Sequence, residues 1–388
     1  MDFTDNREHE AIREAIGKIC DRFGDDYWLA HDRDGGFPFE LYDALAAGGW
    51  LGICMPAEYG GSGMGISEAT VMMAAIARSG AGLSGCSSVH MNIFGLQPVV
   101  VFGTDEQKRR MLPPLIAGQH KACFAVTEPN TGLNTTKLKT RAERSGEHYV
   151  LSGQKVWIST AQVANKMLIL ARTTPVEQCA KPTLGLSLFY TDLDRRFVEV
   201  REIDKMGRKA VDSNQLFIDG LPVPVEDRIG EEGRGFEYIL HGLNPERILI
   251  AAEAIGIGRA AIRKATQYAK DRIVFGRPIG ENQGVQHPLA RCWANLEAAN
   301  LMIFRAAELY DKGHPCGIEA NAGKYLAGEA GFEACETAIL SHGGMGYSKE
   351  FHVERYLREI MIPRIAPVSR EMILSHIAER VLGLPKSY

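Results

Sequence analysis

The hydrophobic period of this chain changes twice, and that change limits most strongly what it can fold into. Up to about residue 120, apolar residues recur at three- and four-residue spacing, as in Ala11 to Phe23 and Phe39 to Gly48, which predicts amphipathic helices. Turns are expected at Asp34-Gly35-Gly36 and at Tyr59-Gly60-Gly61-Ser62-Gly63. Ser67 is the expected N-cap of an Ala- and Met-rich buried helix running toward Ala77. From about 121 the pattern shortens to β-prone runs: Tyr149 to Ser159, Lys166 to Ala171, Leu184 to Tyr190, Phe197 to Ile203 and Gln215 to Ile218. Leu221-Pro222-Val223-Pro224 lacks the donors of a central strand and is expected at an edge or as an exit loop. After Gly233-Arg234-Gly235 the helical period returns, with a Gly/Pro break around 313–317. The chain therefore reads as mainly α with a central β domain. An N-terminal helical domain spans 1–120, a middle β-barrel or sandwich 121–232, and a C-terminal helical domain 233–388.

At 388 residues the chain exceeds the size at which a single core stops growing, so two or three domains are expected. A net charge of −4 with no basic block argues against nucleic acid as a partner. The most apolar segment, Ile248 to Ile257, is interrupted by Glu253 and is too short to span a bilayer, so no membrane insertion is expected. Met1 to Glu8 lacks the apolar stretch of a signal peptide. The eight cysteines are scattered without a Cys-x-x-Cys pair, which argues for reduced thiols and against a metal site. A cytoplasmic enzyme fits these features.

Three constellations carry chemistry. The first is Ala125-Val126-Thr127-Glu128-Pro129-Asn130-Thr131-Gly132, followed by Gln154-Lys155-Val156-Trp157-Ile158-Ser159. Hydroxyls and an indole on strand-like sequence can hydrogen-bond the edge of a flat aromatic cofactor and cover its face. A polar strand-to-turn connection beside a core tryptophan is the plainer reading. The second is Asp271-Arg272-x-x-Phe275-Gly276-x-x-Ile279-Gly280-x-x-Gln283, which also reads as a helix ending near Phe275 with a glycine C-cap. The third, His342-Gly343-Gly344-Met345-Gly346-Tyr347, is by itself a helix end or turn.

Val126-Thr127-Glu128-Pro129-x-x-Gly132 followed by Gly153-Gln154-Lys155-x-Trp157-Ile158-Ser159 resembles the flavin-binding signature of acyl-CoA dehydrogenases, and the resemblance extends over essentially the whole chain. It implies that family's fold, in which the C-terminal domain is a four-helix bundle, and FAD as cofactor. Val126, Thr127, Gly132, Ile158 and Ser159 would lie along the flavin, with Trp157 packed beside the ring. Arg272, Phe275 and Gln283 would reach the ADP part of FAD bound mainly by a neighbouring subunit, so the resemblance implies a homodimer or homotetramer. A guanidinium suits a pyrophosphate through its planar fork. Gly343 and Gly344 would allow close backbone approach to the adenosine side, and Ser369 would touch flavin. Leu133, Phe94, Leu243 and Arg247 would contact the acyl-CoA. In one departure, the Ser-Asp that relatives place after the glycine is Leu133-Asn134 here, leaving Thr135 or Thr136 as substitutes for its hydroxyl.

The resemblance also frames a search for the base. Removing hydrogens from Cα and Cβ of an acyl thioester needs a carboxylate whose pKa is raised toward neutrality, and flavin as hydride acceptor. Many relatives carry this glutamate near the C-terminus, but the matching stretch here is Ile365-Ala366-Pro367-Val368-Ser369, and proline cannot accept a proton. Isovaleryl- and long-chain-type members place it on the helix after the β domain, in a Glu-Arg pair. Asn244-Pro245-Glu246-Arg247 supplies that pair. At helical spacing the neighbours of Glu246 are Gly242, Leu243, Leu249 and Ile250, none charged, so the carboxylate should be desolvated. The plainer reading makes Asn244 an N-cap, Pro245 the first helical residue and Glu246 a dipole-favoured acid, while Glu253 is a weaker candidate on nearly the same face.

The implied reaction is an FAD-dependent α,β-dehydrogenation of an acyl-CoA by Glu246, with electrons passed to an electron-transfer flavoprotein, as in fatty acid β-oxidation. The alternatives are a flavin oxidase or monooxygenase-like relative on the same fold, or a non-catalytic flavoprotein subunit, which Pro367 raises and Glu246 argues against.

Overall fold

The computed structural model describes residues 7–387, so the reading of Met1 to Glu8 falls largely outside the described residues. Helices Arg7–Cys20, Asp25–Asp34, Phe39–Ala47, Ile66–Ile76, Gly82–His90 and Asp105–Ile116 make up most of the N-terminal part. The Ile66–Ile76 helix is capped differently from the expectation at Ser67. Its N-cap is Gly65, and Asp311, 245 residues from Ile66 in the chain, accepts from the Ile66 and Ser67 backbone N–H groups at 2.7 and 2.9 Å. A distant carboxylate thus satisfies the orphan donors that a local serine was expected to serve.

The middle of the chain forms a mixed sheet of eight strands: β1 (Ala122–Ala125), β2 (Arg141–Ser145), β3 (His148–Ser159), β4 (Lys166–Arg172), β5 (Leu186–Asp192), β6 (Val198–Glu202), β7 (Ser213–Pro224) and β8 (Arg228–Ile229). Their order is β6-β7-β3-β2-β4-β5-β8, with β1 parallel to β4. The period-2 alternation of β4 shows how the domain is seated. Met167, Ile169 and Ala171 point into the sheet's own core with Phe189, Leu216 and Val223, while Leu168 and Leu170 join the core shared with the helices. Both faces of β4 are therefore dry. Leu221 to Pro224 is a strand rather than an exit loop, but it pairs only with β3, because β6 leaves β7 at Ile218. The expectation of an edge holds for that half, where the missing proline N–H groups cost no ladder bond.

Three long helices follow, Leu243–Asp271, Gln283–Asp311 and Gly317–His342, packed on one another, with the shorter Arg370–Arg380 against the third. Leu243–Asp271 also packs along Ile66–Ile76. Gly256 permits this approach, since a Cβ there would lie 2.5 Å from Ala77 Cβ and 2.6 Å from the Ala74 carbonyl. Among the described residues no helix is long and apolar enough to cross a membrane.

Candidate active site

The two halves of the first constellation are joined by a lysine that sequence reasoning left without a role. Lys155 is wholly buried, and its ammonium donates to the Val126 carbonyl (3.0 Å), the Leu170 carbonyl (2.9 Å) and Glu128 Oε1 (3.0 Å). Burial pushes the Lys155 pKa down to about 8, with the Glu128 charge opposing. Glu128 also accepts from the backbone N–H groups of Lys139 and Thr140 at 2.7 and 2.8 Å, and it exchanges backbone hydrogen bonds with Thr131 across a tight turn. The Val156 N–H donates to the Thr127 carbonyl at 2.9 Å, which sets the turn against β3.

This stitching exposes a different set of side chains. One extra residue in β3 between Lys155 and Ile158 makes a bulge, and Trp157 within it adopts a left-handed φ of 62°. Its indole is thrown outward and remains 60% exposed. Such a conformation for a bulky residue marks a position worth explaining by function. Thr127 and Ser159 are half-buried beside it. Ile158 differs from the expectation: its side chain lies in the sheet core and its carbonyl accepts from Asn214 Nδ2 at 2.8 Å, so it offers no side chain to the open face. Val126 is likewise buried, whereas Gly132 and Leu133 are exposed. The Thr136 hydroxyl is engaged by Asn134 Oδ1 at 2.7 Å. Ser159 Oγ accepts from Arg208 Nη2 at 2.9 Å; the same guanidinium reaches Ser213 and Ser87 at 2.9 and 3.1 Å.

Glu246 stands in the first turn of Leu243–Asp271. That helix follows Gly235–His241 with only Gly242 between them, so Asn244 is not an N-cap; it accepts from Arg247 Nη1 at 2.9 Å instead. The Glu246 carboxylate makes no hydrogen bond to another described residue, and burial pushes its pKa up to about 7, against the charges of His90, Arg247 and Lys324 and with that of Glu253. Lys324, on Gly317–His342, is itself pushed down to about 8 by burial, then by Arg247. Its ammonium donates to the Val368 carbonyl at 2.6 Å, so the tail containing Pro367 and Ser369 is held near the carboxylate. Ser369 serves there as N-cap of Arg370–Arg380. Glu371 is exposed and paired with Arg370.

Glu253 is fully buried and is bonded to His90 Nδ1, which removes it from competition with Glu246. Phe94 makes a T-shaped contact with His90, with ring centroids 4.7 Å apart, and its carbonyl would lie 3.1 Å from a Cβ at Gly242. Phe94 and half-buried Leu243 thus adjoin the start of the Glu246 helix.

The second and third constellations lie elsewhere. Leu243–Asp271 ends before Arg272, which is extended, and Phe275-Gly276 turns a two-residue hairpin rather than capping a helix. Phe275 has φ 54° and is fully exposed; Arg272 and Gln283 are exposed too. Tyr268 stacks on His342 at 4.4 Å, placing Gly343 and Gly344 at the same end of the bundle. At 1.5 Å per residue, the 26 residues from Glu246 to Arg272 span about 39 Å along the helix.

Family models for the N-terminal, middle and C-terminal domains of acyl-CoA dehydrogenases match residues 6–119, 123–221 and 233–382. The chain is 37% identical over 388 residues to the acyl-CoA dehydrogenase fadE12 of Mycobacterium bovis, covering 100% of this chain and 99% of that protein. It is 34% identical over 335 residues to the caffeyl-CoA reductase-Etf complex subunit CarC of Acetobacterium woodii, covering 85% and 86%. Butyryl-CoA dehydrogenase from Megasphaera elsdenii superposes with a TM-score of 0.93 at 27% identity, covering 98% of this chain and 100% of that one. The FAD complex of PigA superposes with a TM-score of 0.91 at 25% identity, covering 99% and 100%.

Proposed function

We propose that this chain, which belongs to the acyl-CoA dehydrogenase family, dehydrogenates an acyl-CoA across its α,β bond with Glu246 as the base. It is an oxidoreductase acting on acyl-CoA, and FAD is its cofactor. The residues present suit a flavin. Trp157 offers an exposed indole face on a strained bulge, and the half-buried Thr127 and Ser159 lie on the two segments that the Val156 N–H to Thr127 carbonyl bond joins. Bound FAD supplies the two-electron acceptor for the β-hydrogen.

The observation that carries the reading is the Glu246 carboxylate itself. It is unpaired by hydrogen bonds and raised to about 7 by burial, so it is basic enough to take an α-proton while remaining substantially ionised near neutrality. The Cα–H electrons then form the new double bond as the β-hydrogen leaves with its pair, giving a trans-2-enoyl thioester. Arg247, held by Asn244, and Lys324, held by the Val368 carbonyl, keep positive charge near the carboxylate. Leu133, Phe94 and Leu243 are the proposed acyl-CoA contacts.

The 39 Å separation supports a homodimer or homotetramer. Arg272, Phe275, Gln283, Gly343 and Gly344 lie too far from Glu246 to serve the same chain's reaction centre directly, and a neighbouring copy can use them. Exposed Phe275, Leu340 and Tyr347 at that end give a second copy an apolar surface. An electron-transfer flavoprotein is the proposed acceptor, in line with the Etf complex named for CarC. Cytoplasmic location and a place in β-oxidation belong to the same proposal. The test is anaerobic flavin bleaching of the purified holoprotein by acyl-CoA thioesters varied in length and branching, followed by reoxidation with electron-transfer flavoprotein or with air. Bleaching by one thioester class and reoxidation by the flavoprotein are expected. A chain that no thioester bleaches is not this enzyme, and rapid peroxide formation in air marks an oxidase.

A further inference from the structure

The base does not stand alone on its side of the site. His90 ends the Gly82–His90 helix and reaches the helix that carries Glu246, where its Nδ1 bonds Glu253 Oε1. Glu253 is seven residues beyond Glu246, two turns along nearly the same face. It is fully buried, and its second oxygen has no hydrogen-bond partner, so the His90 contact alone satisfies the carboxylate. An uncompensated charge at such depth is costly, and a paired imidazolium is the compensation available here.

The pairing also fixes the imidazole. With Nδ1 turned to Glu253 and the ring in T-shaped contact with Phe94, His90 keeps Nε2 free of any partner among the described residues. Phe94 adjoins Gly242, one turn before Glu246, so the ring stands at the mouth of the base's own helix. Carboxylate-to-Nδ1 bonding is how proteins set which imidazole nitrogen faces a reaction.

We infer that His90, held by Glu253 on the face of the helix that carries Glu246, is a positioning residue for the reaction that orients this base toward the thioester. Three groups bear on His90. Glu253 and Glu246 favour its charge, Arg208 opposes it, and despite burial the imidazole is held above its ordinary pKa. Four bear on Glu246: His90, Arg247 and Lys324 favour the carboxylate and Glu253 opposes it, His90 being the strongest of the favourable charges. Replacing His90 therefore removes the main support and leaves Glu253 unpaired, two changes that push the base the same way. Replacing Glu253 removes one negative charge and, with it, the main support for the His90 charge; the two act on Glu246 in opposite senses, so the variant should act less.

The inference rests on Glu246 being the base, so the experiment includes Glu246→Gln. Anaerobic flavin reduction by the best acyl-CoA is followed from pH 5.5 to 9 (roughly the span over which His and a raised Glu titrate) in holoenzyme carrying His90→Gln, Glu253→Gln or both. Flavin content and melting temperature are recorded for each. The acidic limb of the rate should move up by about one pH unit in His90→Gln, roughly a tenfold loss below the limb, with recovery toward the wild-type rate at high pH. The double variant should lie between His90→Gln and wild type. A purely structural role would lower flavin content or melting temperature and leave the limb in place, which overturns the inference. If His90→Gln does not hold flavin, Glu253→Gln and the double variant decide it: coincident limbs at the wild-type pH overturn the inference. Reduction of Glu246→Gln at the wild-type rate overturns the reading beneath it instead.

Discussion

Lys155→Met tests how the flavin-side turn is held. The methionine matches the lysine stem, so the change deletes a charge and three hydrogen bonds rather than volume. Glu128 would remain buried without its cation but with two backbone N–H donors, from Lys139 and Thr140. Breaking one side of a buried pair costs about 3–5 kcal/mol, and the two carbonyls left without a donor lie within that range. The retained donors argue for the lower half, about 3–4 kcal/mol, or a fall in melting temperature of roughly 10 °C. The double variant Lys155→Met/Glu128→Gln removes the stranded charge and should recover part of the loss, a coupling readable in a double-mutant cycle. Urea and thermal unfolding of the holoprotein supply the measurement, with flavin content as a second readout because the Val126 carbonyl, next to Thr127, accepts from that lysine. A single-variant cost below about 1 kcal/mol, or a double variant no more stable than the single, would refute the reasoning.

Trp157→Gly should leave the melting temperature of the apoprotein unchanged or slightly higher, since a left-handed φ costs a non-glycine residue about 1–2 kcal/mol and the indole is mostly in solvent. FAD affinity, by flavin fluorescence titration, should fall about tenfold with the lost stacking. Glu246→Gln should stabilise the protein at pH 8 and not at pH 4. A carboxylate whose folded pKa is raised to about 7 opposes folding above that pH, and the cost fades as pH falls toward its unfolded value near 4.5. Partial solvent access holds the gain to about 1–2 kcal/mol, so equal melting temperatures at pH 8 would contradict the desolvated state of this group. Gly256→Ala should cost about 1–3 kcal/mol through the overlap with Ala77 and the Ala74 carbonyl, measured by urea unfolding, without moving the pH dependence of flavin reduction.

The helix–sheet–helix order was legible because long amphipathic and alternating runs impose their period on whatever packs against them. Strand β2 was not, since Ala142 is its one buried residue and Arg141, Glu143 and Arg144 face solvent. The capping of Ile66–Ile76 was also hidden, because its acceptor, Asp311, lies 245 residues away. The candidate site divides along the same line. Glu246 carried a local signal in its uncharged helical neighbours. Trp157, Thr127 and Ser159 carried one in their strand-like spacing, although nothing local showed that Ile158 would turn inward. His90, Lys155, Arg208 and Lys324 had none: a cation acquires a role only when the fold brings it a carboxylate or a row of carbonyls and hydroxyls.

The central claim is that Glu246 removes the α-proton. Its most direct test is the rate of anaerobic flavin reduction in Glu246→Gln at pH 8 by stopped-flow absorbance, using the acyl-CoA that best reduces the wild type, with flavin content matched. Loss of a positioned general base predicts a rate about 10²- to 10⁴-fold lower, with the thioester still bound. A variant that bleaches its flavin as fast as the wild type would contradict the assignment of the base.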